Sequence, residues 1–136
     1  MSATVLLFET ETSLRKVMAA SLEQQGFDII QAANADAARK HLRRDSPDLF
    51  VLELDHPAGD NGKLIETYRN QSRSGAVLLT TTERPDDGWR SRYQPEAVVY
   101  KPFDVRFLCR QIRDLMQTTS EYSQPGGGAA DDTNGH

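Results

Sequence analysis

The 136 residues carry 16 basic and 20 acidic side chains, for a formal charge of −4. That length suits one domain with a core large enough to stand without staples. A single cysteine excludes a disulfide framework or a cysteine-rich zinc site, no apolar run approaches the ~20 residues of a membrane span, and the acidic excess disfavours wholesale nucleic-acid binding.

Val5-Leu6-Leu7-Phe8 is a continuous apolar run ending at Glu9, the pattern of a strand buried on both faces. Leu14, Val17, Met18 and Leu22 follow at helical spacing, with Thr12 or Ser13 as the expected cap and Gly26 as the stop. Phe27 to Gln31 reads as the second strand. Asn34 is positioned to cap a second helix with Ala35, Ala38 and Leu42 inward, which Ser46-Pro47 breaks. Leu49 to Leu52 is the third run, ending at Glu53; a loop from His56 to Gly62 leads to a helix over 63–71. Ala76 to Leu79 is the fourth run, ending at Thr80. Pro85 to Tyr93 predicts a weak helix anchored by Trp89 and Tyr93. Ala97 to Tyr100 is the fifth run, ending at Lys101-Pro102, and Asp104 caps a last helix with Val105, Leu108, Ile112 and Leu115 on one face.

Residues 117–136 hold Glu121, Asp131 and Asp132 with no Lys or Arg, and four of the nine glycines. Such a segment buries too little surface to offset its ordering entropy. The expectation is a folded domain over 1–116, at 16 basic against 17 acidic residues, and a disordered acidic tail over 117–136. Five strands alternating with five helices predict an α/β fold: a doubly wound five-stranded parallel sheet, (βα)5, with helices on both faces. In such sheets the site lies at the carboxyl ends of the strands. Glu9, Thr10 and Glu11 follow the first run; Glu53 and Asp55 the third; Thr80, Thr81 and Thr82 the fourth; Lys101 the fifth. Acids, hydroxyls and one lysine on one rim suit a phosphoryl group, with carboxylates for Mg²⁺ and a hydroxyl and ammonium for phosphate oxygens.

These strand ends resemble the CheY-like, flavodoxin-fold receiver domain of two-component response regulators, over about residues 4–116. Lys101-Pro102-Phe103 is similar to that family's signature after strand five. Pro47 to Glu53, with Pro57 and Gly62 beyond, is similar to the phosphoacceptor segment, and Leu78-Leu79-Thr80-Thr81 to the strand bearing the switch hydroxyl. The resemblance implies a signalling module rather than an enzyme, working in the cytoplasm. It also implies a histidine kinase or another signalling protein as partner, and a homodimer through the fourth helix, fifth strand and fifth helix. Neither nucleic acid nor membrane is expected.

Four features depart from the family pattern. Glu53 stands where the family has the phosphoaccepting aspartate, and Thr10 replaces one of two acids at the end of strand one. Val98 takes the place of the aromatic switch residue, with Tyr100 displaced by two onto the same face. Gln94-Pro95-Glu96 replaces a small turn. Misplacement by about 1 Å costs phosphoryl transfer ~10²-fold, and Glu53 is one methylene too long. The expectation is therefore a degenerate receiver, with Glu53 paired to Lys101, Thr80 kept as a switch-like hydroxyl, and Glu9 and Glu53 as remnants of a weak Mg²⁺ site. No cofactor is otherwise expected. The alternative is a conventional Mg²⁺-dependent phosphoacceptor, with Asp55 as a substitute acceptor in one variant. A flavodoxin-like enzyme is disfavoured because no phosphate cradle follows strand one. Cys109 reads as packing, and the Arg-rich stretches as solvated faces. A DNA-binding output domain does not fit after residue 116, unless the chain is part of a longer protein.

Overall fold

In the computed structural model, residues 2–54, 61–71, 74–82 and 88–123 are described. The elements run β1 (Thr4–Phe8), α1 (Thr12–Gln24), β2 (Asp28–Ala32), α2 (Ala35–Arg44), β3 (Leu49–Glu53), α3 (Asn61–Gln71), β4 (Ala76–Thr81), α4 (Trp89–Tyr93), β5 (Ala97–Tyr100) and α5 (Val105–Ser123). The five strands form one parallel sheet in the order β2-β1-β3-β4-β5. This is the (βα)5 doubly wound fold expected from the alternation.

The continuous apolar runs feed two cores at once, because successive side chains of a strand point to opposite faces. Leu6, Phe8, Phe50, Leu52, Val77 and Leu79 join Leu42, Leu64, Tyr68, Trp89 and Tyr93, so α2, α3 and α4 cover one face. Val5, Leu7, Leu49, Val51, Leu78 and Val99 join Met18, Leu22, Leu108 and Ile112, so α1 and α5 cover the other. Tyr68 is fully buried and its hydroxyl donates to the Pro47 carbonyl at 2.7 Å. Trp89 and Tyr93 are buried anchors, and Cys109 is buried packing.

The helix ends follow local chemistry. Asn34 caps α2, its side chain accepting from the Ala37 amide at 2.8 Å. Asp104 caps α5 through the Arg106 amide at 2.8 Å. At α1 neither Thr12 nor Ser13 is the cap: the N-cap residue is Glu11, with no side-chain bond to the helix. The buried stripe of α1 is Arg15, Met18, Ala19 and Leu22, whereas Val17, expected inside, is 52% exposed. Helix α4 starts at Trp89, after Gly88 in the left-handed region at φ 82°. Helix α5 runs to Ser123, past the boundary expected at 116, since Gln117 to Ser123 contains no helix breaker before Pro125 and Gly126.

Helix α4 is tied to its neighbours. The Arg69 guanidinium of α3 donates to the Tyr93 and Gln94 carbonyls at 3.2 and 2.8 Å and pairs with Glu96 at 3.2 Å. Glu96 Oε1 also accepts from the Val77 amide at 2.7 Å. The Gln94-Pro95-Glu96 segment thus joins α3, α4 and β4.

Candidate functional site

Period-two alternation explains why the strand-end residues meet. Val5, Leu7, Leu49, Val51, Leu78 and Val99 all face α1 and α5. Continuing each strand in steps of two brings Glu9, Glu53, Thr80 and Lys101 to that same side. The structure gathers Glu9, Glu53 and Lys101 there, with Thr80 opposite Glu53 in the β3–β4 register.

Lys101 Nζ lies 3.3 Å from Glu53 Oε1 and 3.0 Å from Glu9 Oε1. The expected Glu53–Lys101 pair is therefore present, within a three-membered cluster. The Glu9 contact is an ion pair without hydrogen-bond alignment, and Oε1 has no hydrogen-bond partner among the described residues. Glu9 Oε2 accepts the Glu11 amide at 3.0 Å. Thr10, in place of an acid, gives Glu53 two bonds: its hydroxyl donates to Oε2 at 2.8 Å and its amide to Oε1 at 3.3 Å. A hydroxyl is neutral and can donate, so here it stabilises the longer carboxylate where a second acid would repel it.

The two acids are 1% and 4% exposed, and share one ammonium. Burial, reinforced by the adjacent Glu53 carboxylate, pushes the Glu9 carboxyl up to about 7. Burial also acts to raise Glu53. The adjacent Glu9 and the hydrogen bonds from Thr10, with the Lys101 charge, outweigh it and hold Glu53 below the usual carboxylate range.

The main chain around both acids is braced. Asn61 Nδ2 donates to the Glu53 carbonyl at 2.5 Å. Leu54 N–H bonds the Thr80 carbonyl at 2.8 Å, and the Thr81 hydroxyl donates to the Leu54 carbonyl at 2.6 Å. Thr80 is buried at 1% exposure but forms no hydrogen bond to Glu53; the hydroxyl that does belongs to Thr10. Tyr100 does not fill the interior beside Val98: it is 37% exposed and its hydroxyl accepts from Arg90 at 3.0 Å. Asp55 and His56 lie outside the described residues. A groove of about 610 Å³ opens beside Lys101, lined by Leu14, Val17, Pro102 and Phe103, with Glu11 and Thr82.

Arg15 is the residue that sequence reasoning passed over. It is 9% exposed, and its Nη1 donates to the Glu9 carbonyl at 2.9 Å. The available signal was a cation in step with Met18 and Leu22, where an apolar residue belongs.

Among solved structures, the chain is similar to a CheY-like receiver domain protein from Methanospirillum hungatei (TM-score 0.81, 15% identity, 90% of this chain and 100% of that one). It is also similar to TrrA of Thermotoga maritima, solved in complex with Mg(2+)-BeF (TM-score 0.70, 20% identity, 83% and 98%). Among curated proteins it is similar to the phosphate regulon transcriptional regulatory protein PhoB of Escherichia coli, at 27% identity over 88% of this chain and 54% of that protein. A probable transcriptional regulator, ycf27, of Porphyridium aerugineum matches at 26% over 88% of this chain and 50% of its own. The chain spans about half the length of these curated relatives. Residues 5–113 match the response regulator receiver domain, and the chain belongs to that family.

Proposed function

We propose that the chain is a pseudo-receiver, a two-component signalling module that acts through protein contacts and holds one conformation without a phosphoryl group. The carrying observation is that Glu53 is already engaged on both oxygens, by Lys101 at 3.3 Å and by the Thr10 hydroxyl at 2.8 Å. In this reading the glutamate's own carboxylate supplies the negative charge that a phosphoryl group would otherwise bring to Lys101. Thr80 is the neighbouring switch-like hydroxyl, left without a bond to Glu53.

Receiver domains typically bind Mg²⁺ at the phosphorylation site. Two carboxylates remain at the described strand ends, Glu9 and Glu53, and an ammonium stands against both. Among the described residues no group of three or more His, Cys, Asp or Glu side chains is placed to hold a metal. Magnesium demands near-octahedral oxygen ligation, and a lysine in contact with both acids competes for the same charge. This arrangement supports the reading of Glu9 and Glu53 as a weak, remnant Mg²⁺ site.

Signalling without catalysis, a cytoplasmic setting, and a histidine kinase or other signalling protein as partner complete the reading. The apolar groove beside Lys101 supports a protein partner. No described helix is long and apolar enough to cross a membrane. Homodimerisation through α4, β5 and α5 is the assembly proposed by family likeness. The rival is a conventional phosphoacceptor. Intact mass spectrometry after incubation with acetyl phosphate and Mg²⁺ separates them. The pseudo-receiver stays unmodified, and stoichiometric gain of one phosphoryl group on Glu53 or Asp55 rejects it.

A further inference from the structure

The geometry points to Arg15 of α1 as the positioning residue that sets the Glu9 carboxylate against Lys101. Long cations are almost never fully buried unless paired. Arg15 is 9% exposed, yet none of the ion pairs among the described residues includes it. Its donors go to two neutral acceptors. Nη1 donates to the Glu9 main-chain carbonyl at 2.9 Å and Nε to Gln31 Oε1 at 3.2 Å. The planar fork of a guanidinium can hold two acceptors in fixed directions. Here it bridges the end of β1 and the end of β2 from the first turns of α1.

The consequence lies in Glu9. Its amide donates to the Ala32 carbonyl at 3.2 Å, its carbonyl takes Arg15, and its carboxylate Oε2 takes the Glu11 amide. With both main-chain groups and one carboxylate oxygen fixed, the remaining Oε1 is held 3.0 Å from Lys101 Nζ. Glu53 has a parallel brace in Asn61, a neutral amide that reaches one carbonyl. At Glu9 two acceptors on two strands must be joined, which the shorter amide of an asparagine cannot span. Arg15 touches neither Lys101 nor Glu53, so it acts through Glu9. The role holds whether or not Glu53 accepts a phosphoryl group, and its test is independent of that question.

The test is NMR of the full chain. In the wild type, the Arg15 guanidinium hydrogens should be resolved, slow to exchange, and correlated through the hydrogen bond with the Glu9 carbonyl carbon; averaged, fast-exchanging signals overturn the assignment. In Arg15→Met the Glu11 amide should lose the downfield shift that its bond to Glu9 confers. The Lys101 ammonium signal should be lost to exchange, and the far-UV spectrum should be retained. Arg15→Lys, able to reach one of the two acceptors, should recover part of both signals. A folded Arg15→Met protein with unchanged Glu11 and Lys101 signals overturns the assignment, as does a lysine variant no better than methionine. Should Arg15→Met fail to fold, the wild-type guanidinium measurement decides alone.

Discussion

Glu9 and Glu53 are one residue type in one pocket, yet their carboxyl pKa values are driven in opposite directions. Both are buried, and the difference comes from what opposes that burial: Glu53 accepts from the Thr10 hydroxyl and amide, while Glu9 accepts from the Glu11 amide. For Glu9, raised from 4.5 to about 7, the contribution to stability is fully present below the ordinary value and lost as pH rises through about 7. For Glu53, held low, the contribution is present above the ordinary value and lost as pH falls through its lowered pKa. Stability measured by thermal melts should therefore decline from about pH 5 to about pH 8, and Glu9→Gln should flatten that slope. Lys101 is the counter-charge for both acids. Lys101→Met should cost about 3–5 kcal/mol in denaturant titrations at about pH 8, and less at about pH 5, where Glu9 keeps its proton. The identities of Glu9, Glu53 and Lys101 were legible in the sequence because each directly follows an apolar run. The bond from Thr10 to Glu53 was not. A threonine beside an acid looks like the loss of a ligand until the structure shows its hydroxyl aimed at a carboxylate 43 residues away.

Among the elements, α4 departs furthest from what its sequence promises alone. Five residues are too few for a helix to stand by its own hydrogen bonds, so tertiary contacts carry it. Tyr93 lies directly over Gly62 of α3, where a Cβ would collide with the phenol ring. Gly62→Ala should cost about 1–3 kcal/mol by overpacking. Adding Tyr93→Leu should recover part of that loss relative to Tyr93→Leu alone, a non-additivity that a double-mutant cycle reads directly. From the sequence, Gly62 was loop punctuation; its packing role depends on which helix crosses it, which spacing along the chain does not encode. Helix α5 extends beyond residue 116 for another reason: a helix already nucleated by a packed stripe adds each further residue without repeating the nucleation cost.

At the scale of the molecule, the parallel sheet with helices on both faces was readable, because unbroken apolar runs leave a parallel sheet covered on both faces as the economical solution; the strand order was not, since periodicity says nothing about which strands are neighbours. What the periodicity left open was how each helix is rotated on the sheet. Leu14, Val17, Met18 and Leu22 fit one helical stripe, while the stripe observed is Arg15, Met18, Ala19 and Leu22, a small rotation that exposes Val17 and inserts a cation. Met18→Ala should accordingly cost about 2–5 kcal/mol, whereas Val17→Ala should stay within about 0.5 kcal/mol. Comparable losses for the two would reject this orientation of α1.

The placement of the cluster on a single pleat phase carries a further consequence. Glu9, Glu53 and Lys101 meet because three strands arrive in step. A slip of one residue in β1 or β3 would turn its acid towards the apolar layer beneath α2 and α3, and leave Lys101 short of a partner. The ion cluster is thus a checksum on strand alignment: only the correctly registered chain closes it, and a misaligned one strands a charge in oil. Single-residue insertions inside these strands should be far more damaging than insertions of equal length in the connecting loops, even where the apolar runs themselves could tolerate the shift.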